Sequence, residues 1–240
     1  MIFELHPMPI TNTVSCVIPA FNSSQYIEEA INSVLSQTYS VNEIIVVDGG
    51  SKDHTVELAR AFGGIVRVVR HDDLGPASSR NTGVRQTSGQ YICFLDADDR
   101  WHEHKIELQM EEFSKDSELD ICCSMAENFW APELSEEYER LRDSQRAQPV
   151  PAYITGATLA RRELFNTVGL LNEKLWFADG MDWFLRARRH KVKVVMLNSV
   201  LVYHRIHLAG ITRRRAEDSK KEFLAMTRKQ LLLNRRAKNE

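Results

Sequence analysis

The sequence predicts an α/β fold in which a mainly parallel central sheet is flanked by helices within one compact domain. Short runs rich in Val and Ile alternate with segments of helical periodicity through the first half of the chain. These runs are apolar on both faces, which is typical of buried parallel strands joined by right-handed crossover helices. A chain of 240 residues with 43% hydrophobic content can also build one sizeable core.

The first strand and helix are marked by an apolar run and a capping pattern. VSCVIPAF, at residues 14–21, predicts a buried strand that ends near Pro19. Asn22 is the expected N-cap of the next helix, with Gln25 three residues later. The apolar stripe of that helix is expected to face the sheet.

The same alternation continues beyond the first helix. Gly63 and Gly64 are expected to end the second helix, and Pro76 suits the first turn of the third. The predicted elements are a strand at 43–48, a helix to residue 62, a strand at 65–70, a helix at 76–86, a strand at 91–95 and a helix carrying Ile106, Met110 and Phe113.

The second half of the chain is less regular. Residues 127–151 are polar and acid-rich, and we expect one short exposed helix there, from Leu134 to about Arg146. The later predicted elements are a strand or loop feeding a short helix at 155–173, a helix at 179–190 with Trp183, Phe184 and Ala187 facing inward, and one or two closing strands at 191–207.

Charge and cysteine content exclude several classes of protein. The net charge of −2 argues against a strongly basic nucleic-acid-binding protein. The four cysteines have neither zinc-like spacing nor the density of a disulfide scaffold, so we expect them to be reduced and structural. The sequence has no signal pattern and no apolar run of membrane-spanning length, which predicts a cytoplasmic protein.

Residues 213–240 form a predicted basic helix with ten Lys or Arg against four Asp or Glu. Such a helix could lie on the anionic inner face of a membrane as a peripheral contact, or it could pack its leucines on the domain. We favour packing, and both interpretations stay open at this point.

An acidic run follows the fourth strand directly, in the stretch YICFLDADDRW. Asp96 and Asp98 stand two residues apart, and paired carboxylates of this kind hold Mg²⁺ or Mn²⁺ when substrate phosphates complete the coordination shell. A solvated turn is the alternative. A phosphatase acid pair is disfavoured, because the hydroxyl residue that usually follows the second acid is missing.

Polar residues also follow the first two strands, at 19–22 and 48–51. Ligands of open α/β sheets bind at the carboxyl ends of the strands, so all three segments are expected at one binding edge. Arg80 lies on the helix before the acidic run, where it would bind a phosphate or orient an aspartate.

Four ordered segments resemble the nucleotide-sugar-binding half of family 2 glycosyltransferases of the GT-A fold. They are VSCVIPAFNSSQYIEEAINSVLSQTY, EIIVVDGGSKDHT, GPASSRNTGV and YICFLDADD. The resemblance is close over residues 13–114 and looser to about 215. It implies a GT-A domain at 13–212, with a donor half at 13–114 and an acceptor half at 115–212, followed by the basic helix.

The resemblance also implies roles for residues of the donor half. Asp48 would bind the nucleotide base, although the acid often found beside it is Gly49 here. Asp96 would lie toward the ribose or the metal shell and Asp98 would be the principal ligand of Mn²⁺ or Mg²⁺, while Asp99 is expected to cap a helix. The residues implied to meet the nucleoside and the diphosphate are Pro19, Ala20, Asn22 and Arg80.

The acceptor half keeps an altered form of the family pattern. The family commonly has a Glu-Asp pair whose aspartate is the general base, and this chain has Asp179-Gly180 instead. Either Asp179 or Asp182 would then be the base, and we favour Asp179. His207 occupies the place of a histidine that reaches the metal or the diphosphate, and residues 156–158 would face the acceptor.

We therefore expect a metal-dependent inverting glycosyltransferase that moves a sugar from a nucleoside-diphosphate sugar, with a UDP-sugar as the expected donor. The acceptor would be a hydroxyl of a carbohydrate or of a lipid-linked molecule. Two alternatives stay open. One is a catalytically weakened donor-binding partner of another transferase, and the other is a nucleotidyltransferase that releases pyrophosphate.

Overall fold

The computed structural model describes residues 12–71 and 75–236. The strands of this part of the chain are β1 (Val14–Ala20), β2 (Glu43–Asp48), β3 (Val66–Arg70), β4 (Tyr91–Phe94), β5 (Arg100–Trp101), β6 (Ile121–Trp130), β7 (Val150–Pro151), β8 (Thr158–Arg161) and β9 (Val194–Ile206). The α-helices are α1 (Ile27–Leu35), α2 (Thr55–Ala61), α3 (Pro76–Gln86), α4 (Lys105–Lys115), α5 (Ser135–Leu141), α6 (Leu164–Thr167), α7 (Asp179–Arg189), α8 (Ile211–Arg214) and α9 (Ala216–Arg236).

One sheet of nine strands runs through the described residues, in the order β3-β2-β1-β4-β8-β6-β9-β5, with β7 paired to β6. The first four strands pair in parallel, as the sequence predicts. The second half adds antiparallel pairing of β8 with β4 and β6, whereas β6 and β9 run parallel over a long pairing. The α/β architecture with helices around a central sheet is confirmed.

Successive side chains of β1 alternate between two cores, one on each face of the sheet, and helices cover both. Cys16 and Ile18 belong to the core on the side of α1, whereas Val17 belongs to the core on the side of α3. Successive side chains of a strand point to opposite faces, so an all-apolar strand needs a helix on each side. The four cysteines are buried and free, as expected, and burial raises the pKa of Cys122 and Cys123 to about 12.

Helix α3 packs closely on β1 because residue 83 is a glycine. A Cβ atom at this position would lie 2.2 Å from Cγ1 of Val17, which is closer than any real contact. The glycine therefore lets the helix backbone approach the strand. Arg80 lies one turn earlier on the same helix, so this contact also fixes the height of Arg80 above the sheet.

The prediction that Asn22 caps α1 is wrong. The N-cap is Tyr26, and Asn22 has a positive φ of 48° in the turn after β1. Its Oδ1 accepts a hydrogen bond from the N–H of Lys52 at 2.8 Å, and its own N–H donates to Oγ of Ser51 at 2.8 Å. Asn22 instead joins the loops that follow β1 and β2.

The helix expected from Leu134 to Arg146 is shorter than predicted. The α-helical part is Ser135–Leu141, with 3₁₀ turns at Pro132–Leu134 and Gln145–Ala147. The polar stretch also begins inside β6, which continues to Trp130. Polar residues on this strand weakened its apolar signal in the sequence.

Helix α9 accounts for most of the predicted basic segment. Met226 and Ser219 of this helix are buried, and Arg189 of α7 donates to Gln230 at 3.1 Å. The side chains of residues 231–236, which include the three leucines, lie outside the described residues, as do residues 237–240. None of the helices in 12–71 and 75–236 is long and apolar enough to cross a membrane.

Candidate active site

Residues that follow β1, β2 and β4 lie at the carboxyl ends of these strands, where the sequence predicts the binding edge of the sheet. Asp48 is buried, and its carboxylate accepts hydrogen bonds from the N–H groups of Gly50 at 3.2 Å and Ser51 at 3.1 Å. Pro19 and Ala20 are the last residues of β1, next to this turn. Phe21, which follows them, has 53% of its surface exposed, so an aromatic face stands open beside Asp48.

Arg80 joins two acids that are far apart in sequence. Its Nη2 donates to Oδ1 of Asp96 at 2.5 Å, and its Nη1 donates to Oδ2 of Asp179 at 2.7 Å. Arg80 and Asp179 are buried, whereas Asp96 is partly exposed. The structure thus brings three predicted site residues together, from α3, from the loop after β4 and from the start of α7.

The positive charge of Arg80 and the negative charges of its two aspartate partners stabilise each other. Burial alone would lower the pKa of Arg80, but the negative charges of Asp96 and Asp179 raise the pKa of Arg80 above its ordinary value. Its buried Nε has no hydrogen-bond partner in the described part of the chain. A buried donor without a partner is a position where a ligand oxygen would be stabilised.

Asp98 and His207 form a second pair. Nε2 of His207 lies 3.0 Å from Oδ2 of Asp98, and the His207 ring packs edge-on against Tyr26 with centroids 4.8 Å apart. Burial opposes ionisation of Asp98, but the hydrogen bond from His207 and the nearby imidazoles bring the pKa of Asp98 below its ordinary value. The buried hydroxyl of Tyr26 also lacks a partner among the described residues.

The expectation that Asp99 caps a helix is wrong. His104 is the N-cap of α4, and Asp99 is buried against β9 instead. Its carboxylate accepts from the N–H of Arg205 at 2.9 Å and lies 3.0 Å from Nδ1 of His204. Burial raises the pKa of Asp99 to about 6, and the negative charge of Asp99 raises the pKa of His204, so near neutral pH the two form an ion pair that holds the acidic loop against β9.

Arg205 is a residue of the site that sequence reasoning missed. Its Nε donates to the carbonyl oxygen of Asp98 at 2.8 Å, and its guanidinium pairs with Glu29 and stacks on Tyr26 at 4.5 Å. It lies between the two histidines in sequence, and only its position on a strand facing the acidic loop distinguishes it from a surface arginine.

Asp182 lies apart from the Arg80 cluster. Its Oδ2 accepts from Nε of Arg186 at 2.8 Å, and the same arginine donates to the carbonyl oxygens of Val168 and Leu170 at 2.7 Å each. Asp182 also lines a small depression between α7 and α9 with Met226. Of the two candidate bases, the structure brings only Asp179 to Arg80.

The loop expected to face the acceptor is mostly buried. The carbonyl oxygen of Gly156 accepts from Nε1 of Trp101 at 3.2 Å, and that of Ala157 accepts from Nε2 of Gln109 at 3.0 Å. The exposed side chains here are those of Tyr153, Ile154 and Met181, the last lying two residues after Asp179. An apolar exposed surface therefore stands next to the Arg80 cluster.

No group of three or more His, Cys, Asp or Glu residues in the part of the chain that the structure describes is arranged to hold a metal ion. The Asp98 and His207 pair still fits a divalent cation, because its donor atoms lie 3.0 Å apart. Adjacent ligands at about 2.1 Å from an octahedral cation have roughly this separation. Such a site would need a ligand's oxygens to complete it.

Two comparisons with known proteins agree on the family. The family model described as "Glycosyl transferase family 2" matches residues 15–169. The uncharacterized glycosyltransferase RP339 of Rickettsia prowazekii is 30% identical over 210 residues, covering 83% of this chain and 65% of that protein. The uncharacterized glycosyltransferase EpsJ of Bacillus subtilis is 31% identical over 221 residues, covering 83% and 62%. This chain therefore spans somewhat less than two thirds of these relatives.

The fold matches that of a solved protein structure. Residues 1–349 of TarS from S. aureus, crystallised in complex with UDP-GlcNAc, superpose with a TM-score of 0.68 at 18% identity, covering 82% of this chain and 60% of that chain. The likeness confirms the GT-A fold predicted from the sequence. The family model matches more than half of the chain, and this match establishes that the chain belongs to glycosyl transferase family 2.

Proposed function

We propose that this chain carries the catalytic domain of a metal-dependent, inverting glycosyltransferase that uses a UDP-sugar. The observation that carries the proposal is the bridge from Asp96 through Arg80 to Asp179. It links the acidic loop, where the donor diphosphate would lie, to the candidate base on α7. A single-displacement transfer needs both groups at one reacting centre.

The donor would lie along the ends of β1, β2 and β4. Phe21 is exposed beside the buried Asp48, where it would stack on a nucleobase, and Asn22 ties the two loops that frame it. TarS has been crystallised with UDP and with UDP-GlcNAc, which supports a uridine nucleotide here. The unpartnered Nε of Arg80 would meet a diphosphate oxygen.

Asp98 and His207 would hold Mn²⁺ or Mg²⁺, with Asp96 at the edge of the shell. A bound cation would stabilise the negative charge of the departing diphosphate. The Asp99 and His204 ion pair and Arg205 keep the Asp98 loop in place, so the carboxylate is oriented before the donor arrives.

Asp179 would accept the proton of the acceptor hydroxyl. Arg80 contacts its Oδ2, and within 12–71 and 75–236 its Oδ1 has no hydrogen-bond partner, so one oxygen is left for the acceptor. The exposed Tyr153, Ile154 and Met181 would contact the acceptor. A carbohydrate packs on such an aromatic side chain, and a lipid-linked acceptor packs on the aliphatic ones.

One observation favours a second candidate function, in which the chain binds a donor for another transferase. Asp179 is buried and paired with Arg80, and the next residue is Gly180. A Cβ at Gly180 would make ordinary contacts, the closest at 3.4 Å from Cγ2 of Thr155, so packing alone does not demand glycine. The base would then be weak or absent, while donor binding persists.

The test uses the purified chain, a panel of UDP-, GDP-, CDP- and dTDP-sugars, and Mn²⁺ or EDTA. Thermal stability reports donor binding, because a ligand of the folded state raises the melting temperature. Release of nucleoside diphosphate reports donor hydrolysis and needs no acceptor. Asp98→Asn and Asp179→Asn are compared with Asp143→Asn, since the Asp143 side chain is 96% exposed.

We expect a UDP-sugar to stabilise the chain with Mn²⁺, and slow release of UDP that Asp98→Asn and Asp179→Asn abolish and Asp143→Asn does not. Donor binding with no turnover and no effect of Asp179→Asn would support the binding partner instead. In a separate reaction with a nucleoside triphosphate and a sugar 1-phosphate, release of pyrophosphate would identify a nucleotidyltransferase. The absence of both binding and turnover with every donor would overturn the proposal.

A further inference from the structure

A carboxylate of the basic helix α9 holds the loop that leads to Asp179. Glu222 accepts hydrogen bonds from three successive backbone N–H groups. Its Oε1 lies 2.7 Å from the nitrogens of Phe177 and Ala178, and its Oε2 lies 3.0 Å from the nitrogen of Trp176. Ala178 is the N-cap of α7, whose first residue is Asp179.

These three donors need such a partner. Trp176 and Phe177 precede α7 and Ala178 is its N-cap, so none of the three N–H groups has an acceptor within the helix, and the helix dipole favours a negative charge there. The Ala178 side chain makes no capping hydrogen bond of its own. Glu222, 44 residues further along the chain than Ala178, therefore acts as the cap of α7.

Two further contacts hold the same loop. The guanidinium of Arg215 lies 4.5 Å from the centre of the Trp176 ring, and a salt bridge to Asp218 at 3.0 Å orients that arginine. The Trp176 ring also lies near Gly75, the N-cap of α3, where a Cβ would be 3.9 Å from Cε2. The loop is thus held between α9 and the start of the helix that carries Arg80.

We infer that Glu222 is a positioning residue for Asp179, so that α9 is part of the catalytic machinery. By fixing three consecutive backbone groups, Glu222 sets where α7 begins and how the Asp179 carboxylate meets Arg80. The inference rests on the proposed function, in which Asp179 is the base. Glu222 lies beyond residues 15–169, which the family model matches.

The test compares Glu222→Ala and Glu222→Gln with Glu217→Ala in the hydrolysis of whichever donor of the panel the wild type turns over. Glu217 is a matched control, because it is a 76% exposed glutamate of α9 whose partner is Lys220 on the same helix. KM and kcat for the donor are measured well below the unfolding temperature, and backbone hydrogen exchange of residues 176–179 reports the cap directly.

We expect Glu222→Ala to lower kcat by about ten- to hundredfold with little change in the donor KM, because a base displaced by about 1 Å loses about this much rate. Exchange at residues 176–178 should rise. Glu222→Gln keeps an acceptor oxygen and should recover much of kcat, and Glu217→Ala should resemble the wild type.

A purely structural role predicts a different pattern, in which Glu222→Ala lowers the melting temperature but leaves kcat of the folded protein unchanged. That result overturns the inference and leaves the proposed function intact. Equal losses of kcat in Glu222→Ala and Glu217→Ala would also overturn it. A wild type inactive with every donor overturns the proposed function itself, and the inference falls with it.

Discussion

Nη1 of Arg80 donates a 2.7 Å hydrogen bond to Oδ2 of Asp179, across 99 residues of sequence. The second Nη of the same arginine reaches Asp96, so one guanidinium holds the two halves of the domain together at the site. Arg80 and Asp179 are both buried. A single planar guanidinium can bind two carboxylates at once, which a lysine cannot do with the same geometry.

Arg80 and Asp179 should be strongly coupled in stability. Removing one partner leaves a buried charge unpaired, so we expect Arg80→Met to cost about 3–5 kcal/mol of unfolding free energy. Asp179→Asn should cost less. The double variant should lose less unfolding free energy than the two single variants lose together, by at least about 1 kcal/mol. Urea unfolding of the four proteins measures this coupling. Additive losses would contradict it.

His207 should set the affinity for the divalent cation. Substitution of a residue that only orients a metal ligand already lowers metal affinity by about 10- to 100-fold. His207→Ala should therefore raise the Mn²⁺ concentration for half-maximal donor hydrolysis by at least about tenfold. The matched control is His54→Ala, because the His54 side chain is 80% exposed. If His207→Ala and His54→Ala give the same Mn²⁺ dependence, His207 is not a ligand.

Asp182→Asn should separate the two candidate bases. Asp182 pairs with Arg186, which in turn holds the carbonyl oxygens of Val168 and Leu170. We expect this variant to lose about 1–3 kcal/mol of unfolding free energy through that network. Its kcat should stay within about twofold of the wild type, because no transition-state contact is lost. A loss of kcat as large as that of Asp179→Asn would make Asp182 the base.

The first half of the fold could be predicted from local patterns in the sequence. Strands β1, β2 and β4 are apolar on both faces, and Pro76 and the glycines mark helix boundaries, so neighbouring residues alone define these elements. The turn at Asn22 and the burial of Asp99 depend instead on partners 30 and 106 residues away, in Lys52 and Arg205. Neither partner has a local signal in the sequence.

The difference between local signals and distant partners also explains which features of the site could be predicted from the sequence. Asp96, Asp98, Arg80 and Asp179 follow from the strand ends and from the family resemblance, but their contacts do not. That Arg80 bridges two acids and that Glu222 caps α7 depends on helices packing from opposite halves of the chain. A glutamate within a basic helix looks like an ordinary solvated charge until the fold places it.

Gly83→Ala should destabilise the domain. The new Cβ would lie 2.2 Å from Cγ1 and 2.9 Å from Cγ2 of Val17, both in the core. Overpacking of this kind costs about 1–3 kcal/mol, and we expect the unfolding midpoint in urea to fall accordingly. Gly156→Ala is the control, because no atom lies within 4 Å of a Cβ there. Equal effects of the two substitutions would show that α3 can shift away from β1 at little cost.

Lys105 should make the stability of the domain depend on pH. This lysine is fully buried, with its Nζ 2.8 Å from Oε1 of Gln109 and 4.1 Å from the centre of the Trp101 ring. Burial lowers the pKa of Lys105 from its ordinary value of 10.5. The unfolded chain then binds a proton at this site more readily than the folded chain does, so the stability due to this group rises with pH through the interval between the two pKa values.

Lys105→Met removes that contribution. The unfolding free energy of the wild type minus that of Lys105→Met should therefore grow as the pH rises toward the ordinary lysine pKa of 10.5, by up to about 1.4 kcal/mol per pH unit. Lys115→Met on the same helix should give a weak trend of opposite sign, because the hydrogen bond to Glu112 raises the pKa of Lys115. Urea unfolding at several pH values measures both differences. A difference for Lys105 that stays constant would mean that the buried ammonium keeps its proton in the folded state as firmly as in the unfolded chain, with Gln109 and Trp101 fully offsetting the cost of its burial.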